Sequence, residues 1–451
     1  MKKDVVIKSL AFLSVLVAAM AIRLPTFKLP HDNGDQVYYL GLAMKLDKSG
    51  FDGYALRNID AQGSKGVLGV YPSTGEKGSL LTGIIRTGLK YYDEPLFHRP
   101  YGFPYALMIS HRIFAPDKPY LALFAGKRTP EGKAVVENVD KNWPLQFYAA
   151  FVPFLFSILF IICTYILAAR MFDFKVALIA MSLMAIAPIE ILSSQKVWAD
   201  TMIAFFVLLT VLLYYIARER KSIPLAFFAG VCSGIAVLVK QTGGMVIIAI
   251  VIFHFWEKRA DLLKPRGYYK ALFDKQLISM AFGFVIITFH WFFLAYTTYG
   301  NILYKPPRDS SIFQHVGWFV TLSRRPRLLY LVTIPYLVPV FALAYAALAS
   351  IIPIKGYSTK ERRFLAVWLL TFLVILIYLS TKENRYMLPA YPAIAILSAD
   401  ILSRIGAHLN RRHAGAGDVL VIMVLLACAF WSVPIGLKHA YYNVALIMKP
   451  F

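Results

Sequence analysis

The residues best suited to chemistry form a small polar cluster just beyond the first apolar stretch of the chain: Asp32, Asn33 and Asp35. A carboxylate held at a membrane surface can act as a general base or as a metal ligand. Asp35 also precedes a stretch with helical periodicity, where an acidic side chain commonly caps the backbone N–H groups of the first turn. The local sequence therefore leaves two roles open for Asp35, base and helix cap, and the two are compatible.

A second carboxylate, Asp200, opens a long apolar segment and follows the polar run 193–199. Its structural alternative is again a helix cap, for a helix that begins at Thr201. Two carboxylates at helix starts favour a shared site if both lie on the same side of the protein.

Basic side chains stand next to several apolar segments. Those relevant to the carboxylates are Arg99, Lys196, Lys240, Lys382 and Arg385. Extension of the charged group toward lipid headgroups is the default role for such residues. Convergence on a phosphate is the functional alternative, because arginine offers paired donors and lysine a point charge.

The composition indicates which elements must position these groups. Hydrophobic residues make up 58% of the 451 residues and charged residues 16%, against about 25% charged in soluble domains. Apolar runs of roughly 17 to 25 residues recur, each long enough to cross a hydrocarbon core about 30 Å thick. We predict an all-α polytopic membrane protein that forms one transmembrane domain, residues 1–450, with about eleven spanning helices. The predicted spans are 5–22, 146–169, 175–194, 200–217, 223–239, 242–257, 277–298, 327–350, 364–380, 386–403 and 418–437.

The first span has two interpretations. Lys2 and Lys3 before a short apolar region are typical of a cleaved signal peptide. The stretch 23–30 offers no convincing small-residue cleavage site, so we predict an uncleaved anchor.

The net charge of +23 is distributed by topology and not gathered on one domain. Alternate short loops, such as 218–221 and 258–275, are rich in lysine and arginine, which the positive-inside rule places in the cytoplasm together with the N-terminus. This pattern argues against a nucleic-acid partner and for a multi-pass protein of the cell membrane. It leaves the segments 24–144 and 299–326 as extracytoplasmic loops, so the acidic cluster faces outward.

The first outer loop is too long for a bare connection and should carry structure of its own. The stretches 35–46 and 105–114 have apolar residues at helical spacing. We expect both to form amphipathic helices in the membrane interface, because about ten residues of helix cover only about 15 Å.

Other catalytic signatures are missing from the sequence. It contains no metal-ligand spacing, no glycine-rich nucleotide loop and no nucleophile elbow, which argues against a cytosolic nucleotide substrate. The histidines His98, His111, His290 and His315 are scattered, and we interpret them as structural, His98 being the best candidate for a functional role.

Five segments in order resemble the GT-C superfamily of integral-membrane glycosyltransferases. The resemblance is to the group related to protein O-mannosyltransferases and bacterial lipid A aminoarabinose transferases. The segments are DQVYY at 35–39, HRPYGFP at 98–104, DTMIAFF at 200–206, GIAVLVKQTG at 234–243 and KENRYMLP at 382–389.

The resemblance implies transfer of a sugar from a polyprenyl-phosphate donor to a hydroxyl of a lipid, glycan or protein acceptor. Transfer would occur at the extracytoplasmic face, among membrane lipids, and direct displacement predicts inversion at the anomeric carbon. The family usually has a second acid where this chain has Gln36. That departure favours a reaction without a cofactor, with a divalent metal as the alternative.

The resemblance also implies roles for individual residues. The catalytic carboxylates are Asp35, as general base, and Asp200. The donor-phosphate ligands are Arg99, Lys240 and Arg385. The substrate-binding residues are Tyr38, Tyr39, His98 and Tyr386.

Two other classes of function compete with an enzyme. A secondary transporter or lipid flippase would favour charges in mid-helix and inverted repeats, whereas this sequence has few such charges, no such repeat and polar residues gathered on one side. A noncatalytic membrane scaffold would keep its function when the carboxylates are replaced.

Overall fold

The computed structural model describes residues 2–24, 100–116, 143–262, 272–299, 329–348, 359–378 and 383–445, with scattered residues in 39–51 and 264–269. Within these ranges the regular structure is helical and contains no strand. The helices are α1 (Lys2–Arg23), α2 (Gly102–Phe114), α3 (Trp143–Met171), α4 (Phe174–Ala185), α5 (Pro188–Ser194), α6 (Asp200–Arg220), α7 (Ile223–Val239), α8 (Met245–Glu257), α9 (Arg259–Leu262), α10 (Lys275–Tyr299), α11 (Leu329–Leu337), α12 (Ala342–Ala347), α13 (Lys360–Tyr378), α14 (Tyr391–Arg412) and α15 (Ala416–Ala445). Segments of 3-10 helix occupy Gln241–Gly244, Pro339–Phe341 and Asn384–Ala390.

Six helical stretches in the described part of the chain are long and apolar enough to cross a membrane, by length and composition. They are Asp4–Arg23, Phe147–Met171, Asp200–Arg220, Lys275–Thr297, Asn384–Arg412 and Ala416–Lys438. The bent pair of α4 and α5 would make a seventh, and α7 and Gln241–Glu257 are shorter apolar helices. The all-α polytopic prediction is confirmed, whereas the number eleven stays a prediction.

Two spans predicted as continuous helices are interrupted. In 175–194, α4 ends at Ala185, α5 begins at Pro188, and the two axes differ by 60°. A proline lacks the N–H that would continue the helix, and its ring collides with the preceding turn. In 327–350 the helix is divided at Pro339. The prediction of a continuous helix was wrong at both points, because a proline inside an apolar run hardly changes the mean hydropathy of that run.

A fully buried ion pair holds the break between α4 and α5. The guanidinium of Arg23, at the end of α1, pairs with the carboxylate of Glu190 on α5, and both side chains are fully buried. Arg23 also donates to the Ser157 hydroxyl at 2.9 Å and to the Ala185 carbonyl at 3.1 Å. The last carbonyls of a helix lack intrahelical partners. Arg23 therefore supplies a hydrogen bond to a carbonyl at the end of α4 that the break would otherwise leave unpaired. The first helix and the broken span are therefore joined by charge.

Helices α7 and α10 pack with their backbones in contact. A Cβ atom on Gly230 would lie 1.9 Å from the Met280 carbonyl oxygen, and one on Gly283 would lie 2.2 Å from the Phe227 carbonyl oxygen. No side chain larger than hydrogen fits at either position without separating the helices. The two glycines therefore set the distance between α7 and α10.

A charged network closes one end of the bundle. Arg218, in the last turn of α6, pairs with Asp274 at 3.0 Å, and Lys360, at the start of α13, pairs with Glu257 at 3.0 Å. Arg218 also pairs with Glu257 at 3.6 Å, so the ends of four helical segments meet on the side to which the sequence assigns the basic loops. Residues at the other ends of these helices, Asp200 included, form the opposite end.

The predicted interfacial helix 105–114 is observed as α2, which begins three residues earlier, at Gly102. Gly102 lies against the end of α7: a Cβ on it would lie 2.7 Å from the Leu238 carbonyl oxygen. The other predicted interfacial helix, 35–46, is only partly described. Its described residues, from Tyr39 onward, are helical, and Asp35 lies outside the described residues.

Candidate functional site

Three of the sequence-predicted residues come together at the end of the bundle that Asp200 occupies. Lys240 Nζ lies 2.9 Å from Asp200 Oδ1, and Arg385 Nη1 lies 3.6 Å from Asp200 Oδ2. The three stand at the start of α6, at the junction after α7 and in the 3-10 segment before α14. Residues far apart in the chain thus form one ionic cluster, which we call the Asp200 cluster.

Asp200 itself does not cap its helix. It is the first residue of α6, Ala199 is the capping residue, and no side chain caps this helix. The carboxylate is instead used by Lys240 and Arg385, with 4% of the side chain exposed. The capping interpretation is therefore wrong for Asp200.

Lys240 ends α7 in an extended backbone conformation, with φ −160° and ψ 131°. Its ammonium pairs with Asp200 and lies 4.4 Å from the centre of the Tyr386 ring, within the range of a cation–π contact. Burial lowers the pKa of Lys240. The nearby Asp200, together with Tyr386 and Tyr39, raises this pKa by more than burial lowers it, so the net pKa lies above the ordinary 10.5. Lys240 is consequently an ammonium at neutral pH and points into the cluster, not toward lipid.

Arg385 is fixed by rings and carboxylates. Its guanidinium carbon lies 4.2 Å from the centre of the Trp198 ring, a distance typical of stacking, and 5.7 Å from that of Tyr386. Its Nε donates to the carboxylate of Glu383, which flanks the same 3-10 segment. The planar group is thereby oriented from two sides.

Each cation of the Asp200 cluster is paired with a carboxylate. The cations Lys240 and Arg385 face the carboxylates Asp200 and Glu383. An incoming phosphate would meet two suitable cations, one a point charge and one a planar fork. It would also meet the carboxylates of Asp200 and Glu383, which would repel it and compete for the same cations.

The remaining site predictions divide into two groups. Tyr39 is buried, and its ring packs edge-on against Phe103 at 4.9 Å; Tyr386 lies beneath the Lys240 ammonium. These two predicted substrate-binding residues border the cluster. The following lie outside the described residues: Asp35, Tyr38, His98 and Arg99.

Sequence reasoning missed several residues around the cluster. Trp198 had no assigned role, although it stacks on Arg385. Ser193, Gln195 and Thr201 are buried, and their side chains have polar atoms without a hydrogen-bond partner. Their signal was present in the sequence, since a run of polar residues between two apolar segments is costly to bury without a purpose.

The expectation of a reaction without a metal remains a prediction. Among the described residues, no group of three or more histidine, cysteine, aspartate or glutamate side chains is arranged to hold a metal ion. Asp35 and Gln36, on which the expectation depends, lie outside that part of the chain.

Comparison of the sequence with known proteins gives two matches. Residues 144–282 match the family described as dolichyl-phosphate-mannose-protein mannosyltransferase. An uncharacterized protein of Aquifex aeolicus (strain VF5) is 28% identical over 251 residues. That match spans 54% of this chain and 46% of the Aquifex protein, so the chain corresponds to about half of that relative.

Solved structures resemble the chain over nearly its whole length. ArnT from Cupriavidus metallidurans bound to undecaprenyl phosphate has a TM-score of 0.52 and 14% identity, covering 97% of this chain and 76% of ArnT. The archaeal oligosaccharyltransferase AglB from Archaeoglobus fulgidus, in complex with an inhibitory peptide and a dolichol-phosphate, has a TM-score of 0.54 and 15% identity. The match covers 96% of this chain and 56% of AglB. At these identities the likeness shows a shared fold.

Proposed function

We propose that this chain is a glycosyltransferase of the GT-C superfamily and that it moves a sugar from a polyprenyl-phosphate donor to an acceptor hydroxyl. The transfer takes place at the extracytoplasmic end of the bundle and inverts the configuration at the anomeric carbon. Asp35 is the general base, and Lys240, Arg385 and Arg99 receive the donor phosphate. The acceptor is a lipid, a glycan or a protein.

The observation that carries the proposal is the Asp200 cluster. Two cations held by aromatic rings at the ends of apolar helices suit a ligand with an anionic head and a hydrocarbon tail. ArnT and AglB, which share the fold, have been solved with undecaprenyl phosphate and dolichol-phosphate respectively. A polyprenyl phosphate is therefore the ligand class that fits both the fold and the charges.

The reaction is one displacement. The acceptor oxygen bonds to the anomeric carbon while the bond from that carbon to the phosphate oxygen breaks, and the acceptor proton passes to the Asp35 carboxylate. The leaving group is polyprenyl phosphate, whose added negative charge Lys240 and Arg385 stabilise. Lys240 is charged for this task because its pKa lies above the ordinary 10.5.

The membrane side follows from charge. The network of Arg218, Asp274, Glu257 and Lys360 closes the end where the basic loops gather, which the positive-inside rule assigns to the cytoplasm. The Asp200 cluster lies at the other end of α6, and we place it outside. Modification of an introduced cysteine beside Asp200 by a membrane-impermeant thiol reagent in intact cells tests this; protection until lysis would reverse the assignment.

The function is tested with purified protein and a panel of undecaprenyl-phosphate and dolichol-phosphate sugars. Membranes of the organism that makes the protein supply the acceptor, and released polyprenyl phosphate is measured. Wild-type protein should consume at least one donor. Asp35→Asn should lower turnover by about 10²- to 10⁴-fold, the usual contribution of a general base. Lys240→Gln should raise KM for the donor. Lys175→Gln, at an exposed pair with Asp418 on the opposite end, is the matched control and should be unaffected.

The other outcomes separate the alternatives. Equal turnover of wild type and Asp35→Asn removes Asp35 from its role. If no donor is consumed, the proposed enzyme activity is contradicted. Movement of lipid between the leaflets of proteoliposomes would then support a flippase. Turnover that EDTA abolishes and Mn²⁺ or Mg²⁺ restores would overturn the expectation of a reaction without a metal.

A further inference from the structure

Three buried polar side chains, from the end of α5 to the start of α6, lack hydrogen-bond partners. Gln195 is 3% exposed, and both its amide nitrogen and its amide oxygen are unpartnered. Ser193 and Thr201 are fully buried, and neither hydroxyl has a partner. A buried polar group without a partner costs free energy, so three of them within nine residues need an explanation.

Ordinary helix geometry does not supply one. Helical serines and threonines usually satisfy their hydroxyl on a carbonyl one turn back. Ser194 does so, donating to Ile191 at 2.7 Å, and Thr210 donates to Phe206 at 2.8 Å. Ser193 could use the same bond within α5 and does not, and Thr201, as the second residue of α6, has no preceding helical turn to supply a carbonyl.

The three residues lie close to Asp200 in the chain. Gln195 directly follows α5, three residues before Trp198, whose ring stacks on Arg385, and five before Asp200. A five-residue separation limits the Cα atoms of Gln195 and Asp200 to at most about 18 Å. The turn between them is tighter than this limit, since the Trp198 N–H bonds to the Lys196 carbonyl at 2.6 Å. Helix α5 also packs against the 3-10 segment that carries Arg385.

The chemistry of the three groups is that of hydroxyl recognition. The primary amide of Gln195 offers two donors and an acceptor, and each hydroxyl of Ser193 and Thr201 both donates and accepts. All three are uncharged, in contrast to the neighbouring cations. A ligand that satisfies them carries several neutral groups that donate and accept, beside an anion.

We propose that Gln195, with Ser193 and Thr201, binds the hydroxyl groups of the donor sugar while the Asp200 cluster binds its phosphate. The inference rests on the proposed function and deepens it. It assigns sugar recognition to the segment from the end of α5 to the start of α6, and lipid-phosphate recognition to Lys240 and Arg385. Gln195 is a binding residue and takes no part in proton transfer.

The test compares two probes on the full-length protein in nanodiscs: undecaprenyl phosphate, and the same lipid phosphate esterified with mannose, glucose or galactose. Wild-type protein should bind at least one ester tenfold or more tightly than the bare lipid phosphate. Gln195→Met should reduce that preference at least tenfold and leave the affinity for undecaprenyl phosphate unchanged within twofold. Thr201→Val should reduce the preference in the same direction.

A matched control is Ser398→Ala. Ser398 also has a buried, unpartnered hydroxyl, but it lies seven residues into α14, about 10 Å beyond the 3-10 segment. It should leave the preference intact.

Thermal unfolding separates ligand recognition from a structural role. If Gln195 serves to bind a ligand, Gln195→Met should leave the thermal unfolding midpoint of the ligand-free protein unchanged or raise it, because an unpaired buried amide is removed. A lowered midpoint overturns the inference. So does an intact preference in Gln195→Met, an equal loss for both probes, or a wild type that does not distinguish any ester from the bare lipid. A preference for an ester without turnover would support the inference while contradicting the proposed transfer.

Discussion

The role of Asp200 yields the sharpest prediction. Its carboxylate pairs with both cations of the proposed phosphate site, Lys240 at 2.9 Å and Arg385 at 3.6 Å. An incoming phosphate competes with it for the same donors. We therefore predict that Asp200→Asn, which removes the charge and keeps the shape, tightens the binding of undecaprenyl phosphate.

The size of the effect follows from the distances. A phosphate oxygen that accepts a hydrogen bond from Lys240 Nζ at about 2.9 Å lies about 5 Å from the Asp200 oxygen on the same nitrogen. Two unit charges at about 5 Å repel by about 3 kcal/mol at an effective dielectric constant of about 20. Weaker alignment of the two cations by a neutral amide offsets part of this. We expect about 1.4 to 3 kcal/mol, which is roughly 10- to 100-fold in Kd.

Kinetics distinguish this role from catalysis. If Asp200 is a counter-ion, Asp200→Asn slows multiple turnover because polyprenyl phosphate leaves slowly, while the first turnover of a pre-bound donor stays close to wild type. If Asp200 is the general base, the first turnover falls by about 10²- to 10⁴-fold and Kd for undecaprenyl phosphate does not tighten. Weaker binding in Asp200→Asn would refute the competition between Asp200 and the phosphate.

The pH dependence supplies an internal check. The folded pKa of Lys240 lies above the ordinary 10.5, so the stability contributed by its pair with Asp200 is present below that pH and lost as pH rises through the folded pKa. The stability difference between wild type and Lys240→Gln should be constant from about pH 6 to 9 and shrink above about pH 10.5. A difference that shrinks near pH 7 would contradict the assignment.

Two further predictions concern the frame that holds the site, and thermal midpoints with denaturant titration measure both. Gly230→Ala should destabilise the protein by about 3 kcal/mol, because the new methyl group would lie 1.9 Å from the Met280 carbonyl oxygen. Gly244→Ala, whose Cβ meets nothing nearer than 3.6 Å, should change stability by less than about 1 kcal/mol; equal effects would contradict the close packing. Glu190→Gln should cost about 3–5 kcal/mol because it leaves the fully buried Arg23 uncompensated. Replacing Glu190 by Leu and Arg23 by Met together should destabilise the protein less than Glu190→Gln alone, and a larger destabilisation by the double change would contradict the pairing.

The sequence predicted best those features that depend on local pattern. Long apolar runs predicted the helices around 5–22, 146–169 and 200–217, and the structure has helices at Lys2–Arg23, Trp143–Met171 and Asp200–Arg220. Charge alternation predicted which helix ends gather on one side. Both signals are strong because hydrophobic thickness and helix rise leave few other solutions.

Features that depend on distant partners could not be predicted. Asp200 at the start of a helix has the same local sequence whether it caps that helix or pairs with Lys240, forty residues later. The stacking of Trp198 on Arg385 joins segments still further apart. Capping, packing and ion pairing differ only in tertiary structure, so sequence reasoning left these alternatives open. Asp35 lies outside the described residues, and its role stays a prediction.

The ion pair between Arg23 and Glu190 has a consequence for how the protein is made. The two residues stand at the end of the first helix and after the break in a later span, so 166 residues of chain are synthesised between them. Neither charge is stable alone in hydrocarbon. We therefore expect Arg23 to stay at an aqueous or interfacial position until α5 is inserted and Glu190 can pair with it. We expect electrostatics to order this step of assembly, and an insertion assay on ribosome-bound chains should show Arg23 leaving that position only in chains that extend past Glu190.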